Sequence, residues 1–401
     1  MRCIYALPMA GTDHSPALVG ITVIDLGRVL AAPFTTSVLA SLGARVIKVE
    51  RPGLGDDSRA FGPHRAGKSL YFTSVNCDKE SIALDLTQAG DRAIFESLLD
   101  SADVLVENFS PHVMKNFGYG WNALHTRWPR LIYGALSGFG KTGPLREKPA
   151  YDIIAQALSG MMSITGESNG PPVRVGASIG DLVAGLYLAL GIVSAIHKRT
   201  RTNEGCLIDV AMLDCQIAFL EAAVTTFTAT QVVPKSHGTR HPSIAPFQAF
   251  HCADRLIVIA VGNDLIFGML GVALDCQALT RDPRFVTNAN RVENVDALDT
   301  QLSALLCTKP AASWLELLTK AGVPCALIQS VDEMIAMPQV IARGMIVPVD
   351  DPALPGVMVP GNPIKMSTVP ARSTRGAAPD LDQHRLAILA ELAHGKLGAT
   401  P

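Results

Sequence analysis

Apolar and polar positions fall into blocks along the first 200 residues. The runs ITVIDL (21–26), ARVIKVE (44–50), SIALDL (81–86), DVLVENF (103–109) and RLIYGAL (130–136) are short and rich in β-branched residues. That is the pattern of strands buried on both faces. Between the first two runs, PFTTSVLASLG (33–43) has helical spacing and is closed by Gly43, and a further helix is expected from about 88 to 100. Strand, helix and strand within about 30 residues make a βαβ unit, which requires a parallel sheet. This half of the chain is therefore expected to be α/β and doubly wound.

From about residue 200 the texture changes. GCLIDVAMLDCQIAFLEAAVTTF (205–227) predicts a strand leading into a helix, and VPKSHGTRHPSIAP (233–246) is rich in loop formers. FQAFHCADRLIVIAVGN (247–263) places a turn at Ala253-Asp254 between two apolar runs, which predicts a hairpin. Helical patterns follow to about 320, as in a second, smaller domain. AGVPCALIQ (321–329) and GVMVPGNPIKMS (356–367) return to strand-like material.

Composition narrows the function classes. A chain of 401 residues is long for one core, so two domains are expected. A net charge of −2 with no basic stripe lacks the field that nucleic-acid binding needs. Eight scattered cysteines without a C-x-x-C pair point to reduced thiols in a cytoplasmic protein, not to a disulfide framework or metal site. The N-terminus, MRCIYALPMAGTDHSPALVG, has no long apolar core of a signal peptide. The longest apolar stretch, LVAGLYLALGIVSAI (182–196), is shorter than the roughly 20 residues of a membrane span. It runs into His197, Lys198 and Arg199, as a buried helix with a basic last turn does. A soluble protein with no membrane partner is expected.

Two nucleotide motifs fail on inspection. No G-x-G-x-x-G follows the first strand; GRVLAAPFTT stands there instead. Ala135 to Thr142 reads A-x-x-x-x-G-K-T, but Gly143, Pro144 and Pro149 oppose the helix a P-loop needs after it. The loop around Lys141 remains a candidate ligand contact, because it follows the carboxyl end of a parallel strand. The most suggestive acid is Asp181, in VGASIGDLVAGLYLALG (175–191), at the entrance of the apolar helix among small residues. One reading is a capping box, Ser178 as N-cap with Asp181 three residues on. The other is chemistry: a helix N-terminus favours a carboxylate, and a nucleophilic carboxylate must be ionised.

The chain resembles the family III CoA-transferases from about residue 19 to 370. The resemblance rests on DLGRVLAAPFTTSVLASLGARVIKVERPGLGDDSR, SVNCDKESIALDL, DVLVENFSPHVMKNFGYG, YDIIAQALSGMMSITG and GDLVAGLYLALGIVSAIHKR, followed by GTRHPSIAPFQAF, VGND, DPRFVTNANRVEN, AGVPCALI and PQVIARGM. It implies a Rossmann-like large domain from residues 1–200 and 331–401, linkers at 201–225 and 321–330, and a smaller α+β domain at 226–320. It further implies an interlocked homodimer, each ring-like subunit threaded through the other. In such enzymes an aspartate at the Asp181 position attacks an acyl-CoA thioester. An aspartyl anhydride and then an aspartyl-CoA thioester follow, with no tightly bound cofactor and no metal.

Family contacts to CoA carry over onto Val29, Ala31, Arg51, Leu84, Asn108 and Phe109. Two family cations are missing: Asn116 stands where many members have arginine, beside Lys115, and Pro149 replaces a lysine, beside Lys148. Lys115 and, separately, Lys141 in the loop after the fifth apolar run are candidate contacts to CoA. The same fold houses α-methylacyl-CoA racemases, whose histidine stands 30 residues before the shared aspartate. Here that position is Tyr151. A phenol ionises near pH ~10 and is a poor base at neutral pH, so Tyr151 favours transfer over racemisation. Formyl-CoA:oxalate transferases carry a glutamine at the position of Leu30 and a run of four glycines, both absent here. The resemblance instead implies succinyl-CoA as donor and an itaconate-, mesaconate-, citramalate- or malate-type acceptor. Arg240 or His241 is expected to hold the acceptor's second carboxylate. Carnitine-type acids are the alternative, disfavoured because few aromatics are present to cage a quaternary ammonium.

Overall fold

The computed structural model describes residues 14–395 and residue 397. Cys3 and most of the N-terminal stretch considered for a signal peptide lie outside the described residues. The chain divides into two units. The larger holds the residues up to Met161, Arg174–Val224 and those from Met337; the smaller holds Met162–Val173 and Thr225–Ala336.

In the larger unit, β1 (Thr22–Asp25), β2 (Arg45–Glu50), β3 (Glu80–Ala83), β4 (Val104–Glu107), β5 (Ile132–Ser137) and β6 (Leu207–Ala211) form one sheet. Its order is β3-β2-β1-β4-β5-β6, with every pair parallel. The helices used below are α1 (Ala31–Ser41), α2 (Ala89–Ser101), α3 (Asp152–Ser159), α4 (Ile179–Thr202) and α5 (Met212–Ala218). Strand alternation sorts the core into two layers. Val23, Val46, Val104, Val106 and Ile132 pack with α1 and α4 on one face. Ile24, Ile47, Ile82, Leu105 and Tyr133 pack with Phe95, Leu98 and Leu99 of α2 on the other. Each of these side chains, fully removed from water, contributes about 1.5–3 kcal/mol.

The sheet order is the doubly wound one, even though the glycine fingerprint is missing. From β1 the chain winds outward to β2 and β3, then returns to β4 on the other side of β1. The connections after β1 and β4 therefore diverge and leave a crevice at the carboxyl ends of the strands. The segment 201–225 is not a linker. It carries the end of α4, then β6, whose pairing with β5 completes the sheet, then α5.

The 15-residue apolar stretch read in the sequence is part of α4, which has 24 residues and is by length and composition able to cross a membrane. Val183, Ala184, Leu188, Ala189, Ile192 and Ala195 are buried in the core. Arg199 in its last turn is buried and bonds Asp103 Oδ1 at 2.6 Å. Residues 138–150 form turns, so the Gly-Lys-Thr sequence opens no helix.

The smaller unit holds an antiparallel sheet of Cys325–Leu327, Leu256–Ala260 and Phe247–His251, the last two forming the expected hairpin. Residues 321–330 thus include a strand of this sheet rather than a plain linker. Helices Asp264–Ala273, Val295–Leu306 and Ala311–Lys320 cover it around Phe250, Ile257, Phe267, Phe285 and Trp314.

Candidate active site

Asp181 occupies the first turn of α4. The expected capping box does not form: Ser178 is the N-cap residue, but its side chain makes no capping bond. Asp152, the first residue of α3, takes that place, accepting from the Gly180 N–H at 2.8 Å through Oδ1 and from Gln156 Nε2 at 2.8 Å through Oδ2. Among the described residues the one cation that reaches this carboxylate is Arg174, at a loose 3.7 Å. Asp181 itself is half-buried, and among the described residues no hydrogen bond or ion pair reaches its carboxylate. Burial, and then the charge of Asp152, push its pKa up to about 7. Desolvation beside a second carboxylate thus opposes the ionised form that a helix N-terminus favours.

The turn after β1 lies close by. Gly185 is one helical turn beyond Asp181 on the same face, and a Cβ there would meet the Ala31 carbonyl and the Phe34 ring at 2.9 Å. Thr35 Oγ1 donates to the Gly185 carbonyl at 3.1 Å, which locks the first turn of α1 against α4. Ala31 is thereby held beside Gly185, one turn along α4 from the nucleophile candidate. Leu30 caps α1 without a side-chain bond, and the first turn of α1 carries no acid. That open N-terminus suits an anionic group.

Asn108 stitches the two sides of the crevice. Its Oδ1 accepts from the Arg28 N–H at 2.7 Å, and its Nδ2 donates to the Arg28 carbonyl at 2.9 Å. Arg51 donates to Asp57 at 2.6 Å, and Asp57 also pairs with Arg28. Leu84 has its N–H taken by the Glu50 carbonyl at 2.9 Å, and its buried side chain packs in the core layer with Ile82 and Leu86.

Phe109, Lys115, Lys141, His112 and Arg146 line a cavity of about 210 Å³ beyond β4 and β5. Lys141 is held there by its N–H to Asp209 at 2.9 Å and by Glu107, 3.5 Å from its ammonium. Glu107 is buried, and burial raises its pKa despite Lys141 and the Tyr133 hydroxyl. Tyr151 is 77% exposed at the N-terminus of α3, next to Asp152.

The two expected acceptor-binding residues belong to the smaller unit. Arg240 is engaged by Asp296 at 3.0 Å, Asp299 at 3.9 Å and Gln248 at 3.3 Å. His241 accepts from the Ser243 N–H at 3.1 Å and tilts against Phe247. Both side chains therefore already have partners.

Several residues near the site have no signature in the sequence. Tyr71 is half-buried against Phe61, and after burial the charges of Asp181, Asp56 and Asp152 raise its pKa, which places its hydroxyl in the field of the site. Asp56 belongs to the quoted GDDSR run, yet nothing in that run shows that its side chain turns back to Val29. Asp152 adjoins Tyr151, and nothing in its local sequence marks it as the cap of a helix 28 residues further on. Among the described residues no cluster of histidine, cysteine or carboxylates is placed to hold a metal ion.

Comparison with known proteins bears on all of this. The model of "CoA-transferase family III" matches residues 18–385. The chain is 47% identical over 375 residues to an acetyl-CoA:oxalate CoA-transferase of Acetobacter aceti, covering 93% of this chain and 95% of that protein. It is 38% identical over 390 residues to a succinyl-CoA:mesaconate CoA-transferase of Haloarcula hispanica, covering 94% and 97%. The crystal structure of a CAIB/BAIF family protein from Brucella suis superposes with a TM-score of 0.84 at 37% identity, covering 94% of this chain and all of that one. With a parallel six-stranded sheet, a ligand crevice at its switch point and this extent of matching, the chain belongs to CoA-transferase family III.

Proposed function

We propose that Asp181 is the nucleophile of a CoA transfer from a short acyl-CoA to a short dicarboxylic acid. The observation that supports this most is a half-buried carboxylate on which no cation falls among the described residues, one turn along α4 from Gly185, which packs on the N-terminus of α1. The Asp181 oxygen attacks the thioester carbonyl carbon, the C–S bond breaks, and CoA leaves as thiolate. The thiolate then attacks the aspartyl carbonyl of the mixed anhydride and expels the first acid as carboxylate, leaving aspartyl-CoA thioester. The incoming carboxylate reverses these two steps and departs as its CoA thioester. Every step exchanges one activated acyl bond for another, so no ATP, proton donor or redox partner is consumed.

CoA lies across the switch point in this reading. Val29 and Ala31 face the thioester end, Asn108 and Phe109 flank the nucleotide, and Arg51, Lys115 and Lys141 supply charge for its phosphates. Itaconate and mesaconate remain acceptors of the expected size, with succinyl-CoA as donor. The higher identity to the oxalate enzyme puts oxalate at the head of the acceptor panel and acetyl-CoA beside succinyl-CoA as donor. A homodimer would cover the exposed apolar side chains of α3, α4 and α5, among them Leu158, Leu186, Leu190, Ile217 and Phe219. The seven described cysteines are free thiols, which suits the cytoplasm.

The test is a donor–acceptor panel read by mass spectrometry of the new thioester, with hydroxylamine added to trap an activated Asp181. A CoA thioester of one dicarboxylate and a hydroxamate on Asp181 are expected. Exchange without any label on Asp181 overturns the covalent role; rapid deuterium uptake at the α-carbon of a 2-methylacyl-CoA, without CoA transfer, overturns the transferase reading.

A further inference from the structure

Val29 has a φ of +62°, the left-handed region that a β-branched residue rarely adopts. Such a conformation persists only where its surroundings over-determine it, and it clusters at ligand clamps. The surroundings here are specific. Lys48 Nζ donates to the Gly27 carbonyl at 2.6 Å, Asn108 holds Arg28 through both its N–H and its carbonyl, and Asp56 Oδ1 accepts the Val29 N–H at 3.1 Å. Three consecutive residues are thus gripped by their main chain, each from a different segment. Asp56 is itself immobilised: Oδ2 pairs with Lys48 at 2.8 Å, and Oδ1 also accepts from the Ser58 N–H at 2.8 Å and the Ser58 hydroxyl at 2.7 Å. Lys48 and Asp56 are buried.

We propose that Asp56 is a positioning residue that holds Val29 in its strained turn, so that the main chain of residues 29–31 stands ready for the acyl-CoA before it arrives. The ligand half of this rests on the functional reading above; the clamp itself does not. Without the Asp56 acceptor, Val29 relaxes toward negative φ and the turn loses its shape. The ligand then has to restore that shape, and its affinity falls. A glycine at position 29 adopts the left-handed turn at no steric cost, so it removes the need for the clamp.

The experiment is a double-mutant cycle of Asp56→Ala and Val29→Gly, read by thermal melting of the ligand-free protein, by CoA titration and by steady-state kinetics. Asp56→Ala in the unmodified background should raise KM for acyl-CoA about tenfold, with a smaller loss in kcat. In the Val29→Gly background the same substitution should raise KM less than about threefold, because the turn no longer needs holding. Equal costs in both backgrounds would show that Asp56 acts only as the partner of Lys48, and would overturn the proposal. Should Asp56→Ala fail to fold, Val29→Asn in the unmodified chain decides. Asparagine tolerates the left-handed region, so the melting temperature should rise by about 2 °C if the turn is held under strain, and a fall overturns it. Failure of the unmodified protein to bind CoA overturns the functional reading, whereas a strain coupling absent from the ligand-free melts overturns the clamp alone.

Discussion

Two sets of carboxylates lie in the larger unit in opposite surroundings. Beneath the β1 turn, Asp25 and Asp56 are buried, and each has a buried lysine: Lys79 is 3.0 Å from Asp25, and Lys48 is 2.8 Å from Asp56. Burial alone would raise both acids, but the lysines outweigh it and hold them below the usual carboxylate range. Lys79 shows the cost from the other side, since burial pulls it down to about 8 despite Asp25. Where α3 caps α4, Asp152 has only the distant Arg174 at 3.7 Å and Asp181 has no ion pair among the described residues, and Asp181 rises to about 7. Charges that are compensated pin the main chain; the uncompensated one stays available for the nucleophilic role proposed for it. A nucleophile near half-ionised at neutral pH gains basicity while keeping a usable anionic fraction.

The largest effect expected is at the uncompensated end. Asp181→Asn should lower CoA exchange by at least about 10³-fold while CoA still binds, because only the covalent steps are lost. The same variant should be the more stable protein at pH 8 and show no gain at pH 4. Asp181 titrates near 7 in the folded chain against an ordinary 3.8. The folded state therefore binds the extra proton between those values, and this group withdraws stability as pH rises from about 4 to about 7. Melting curves at the two pH values check the sign; equal gains at both would mean that Asp181 is not under electrostatic stress.

At the compensated end the effect should be on folding. Lys48→Met leaves Asp56 buried without its cation, and such losses cost about 3–5 kcal/mol. Urea unfolding should show a large drop in midpoint for Lys48→Met and almost none for Lys115→Met, whose side chain is exposed. Similar drops in both variants would erase the distinction between pinned and loose charges.

How much of this was visible in the sequence follows from the same contrast. The apolar runs of β1 to β5 revealed the parallel sheet, because buried parallel strands leave no polar alternation. The run 205–227 predicts the strand that becomes β6 but not its place at the edge of the parallel sheet, since its pairing with β5 joins positions more than 70 residues apart. Asp181 stood out through its small neighbours and its place at a helix entrance. Its cap did not, because the capping carboxylate, Asp152, comes from another helix. The Val29 turn has no signature at all: a glycine or asparagine would have announced a left-handed residue, and valine hides it. Arg240 looked available for a substrate because Asp296 and Asp299 are more than 50 positions away in sequence.

A smaller effect links the two carboxylates of the reactive end. Asp152→Asn keeps an oxygen for the Gly180 N–H but removes the charge that helps raise Asp181. The midpoint of the kcat–pH profile should fall by up to about one unit, so the variant is the faster enzyme near pH 6. Burial, the larger cause, is untouched, and the midpoint should stay above the ordinary aspartate range. An unmoved midpoint would mean that Asp152 serves only as a cap.

The smallest effect probes how the loose charges meet the ligand. Arg51 is half-exposed and spends its charge on Asp57, which it shares with Arg28. A CoA phosphate approaching Arg51 has to compete with that carboxylate. Exposed pairs of this kind are worth about 0.2–1 kcal/mol, so Asp57→Asn should tighten CoA binding by roughly two- to fivefold. The gain should shrink at high salt, because the competition is between screened surface charges. Calorimetric titration with CoA and with dephospho-CoA at two salt concentrations measures it. A weaker complex would show instead that Asp57 orients Arg51 for the phosphate, and the exposed rim of the crevice would then be pinned in the same way as its buried floor.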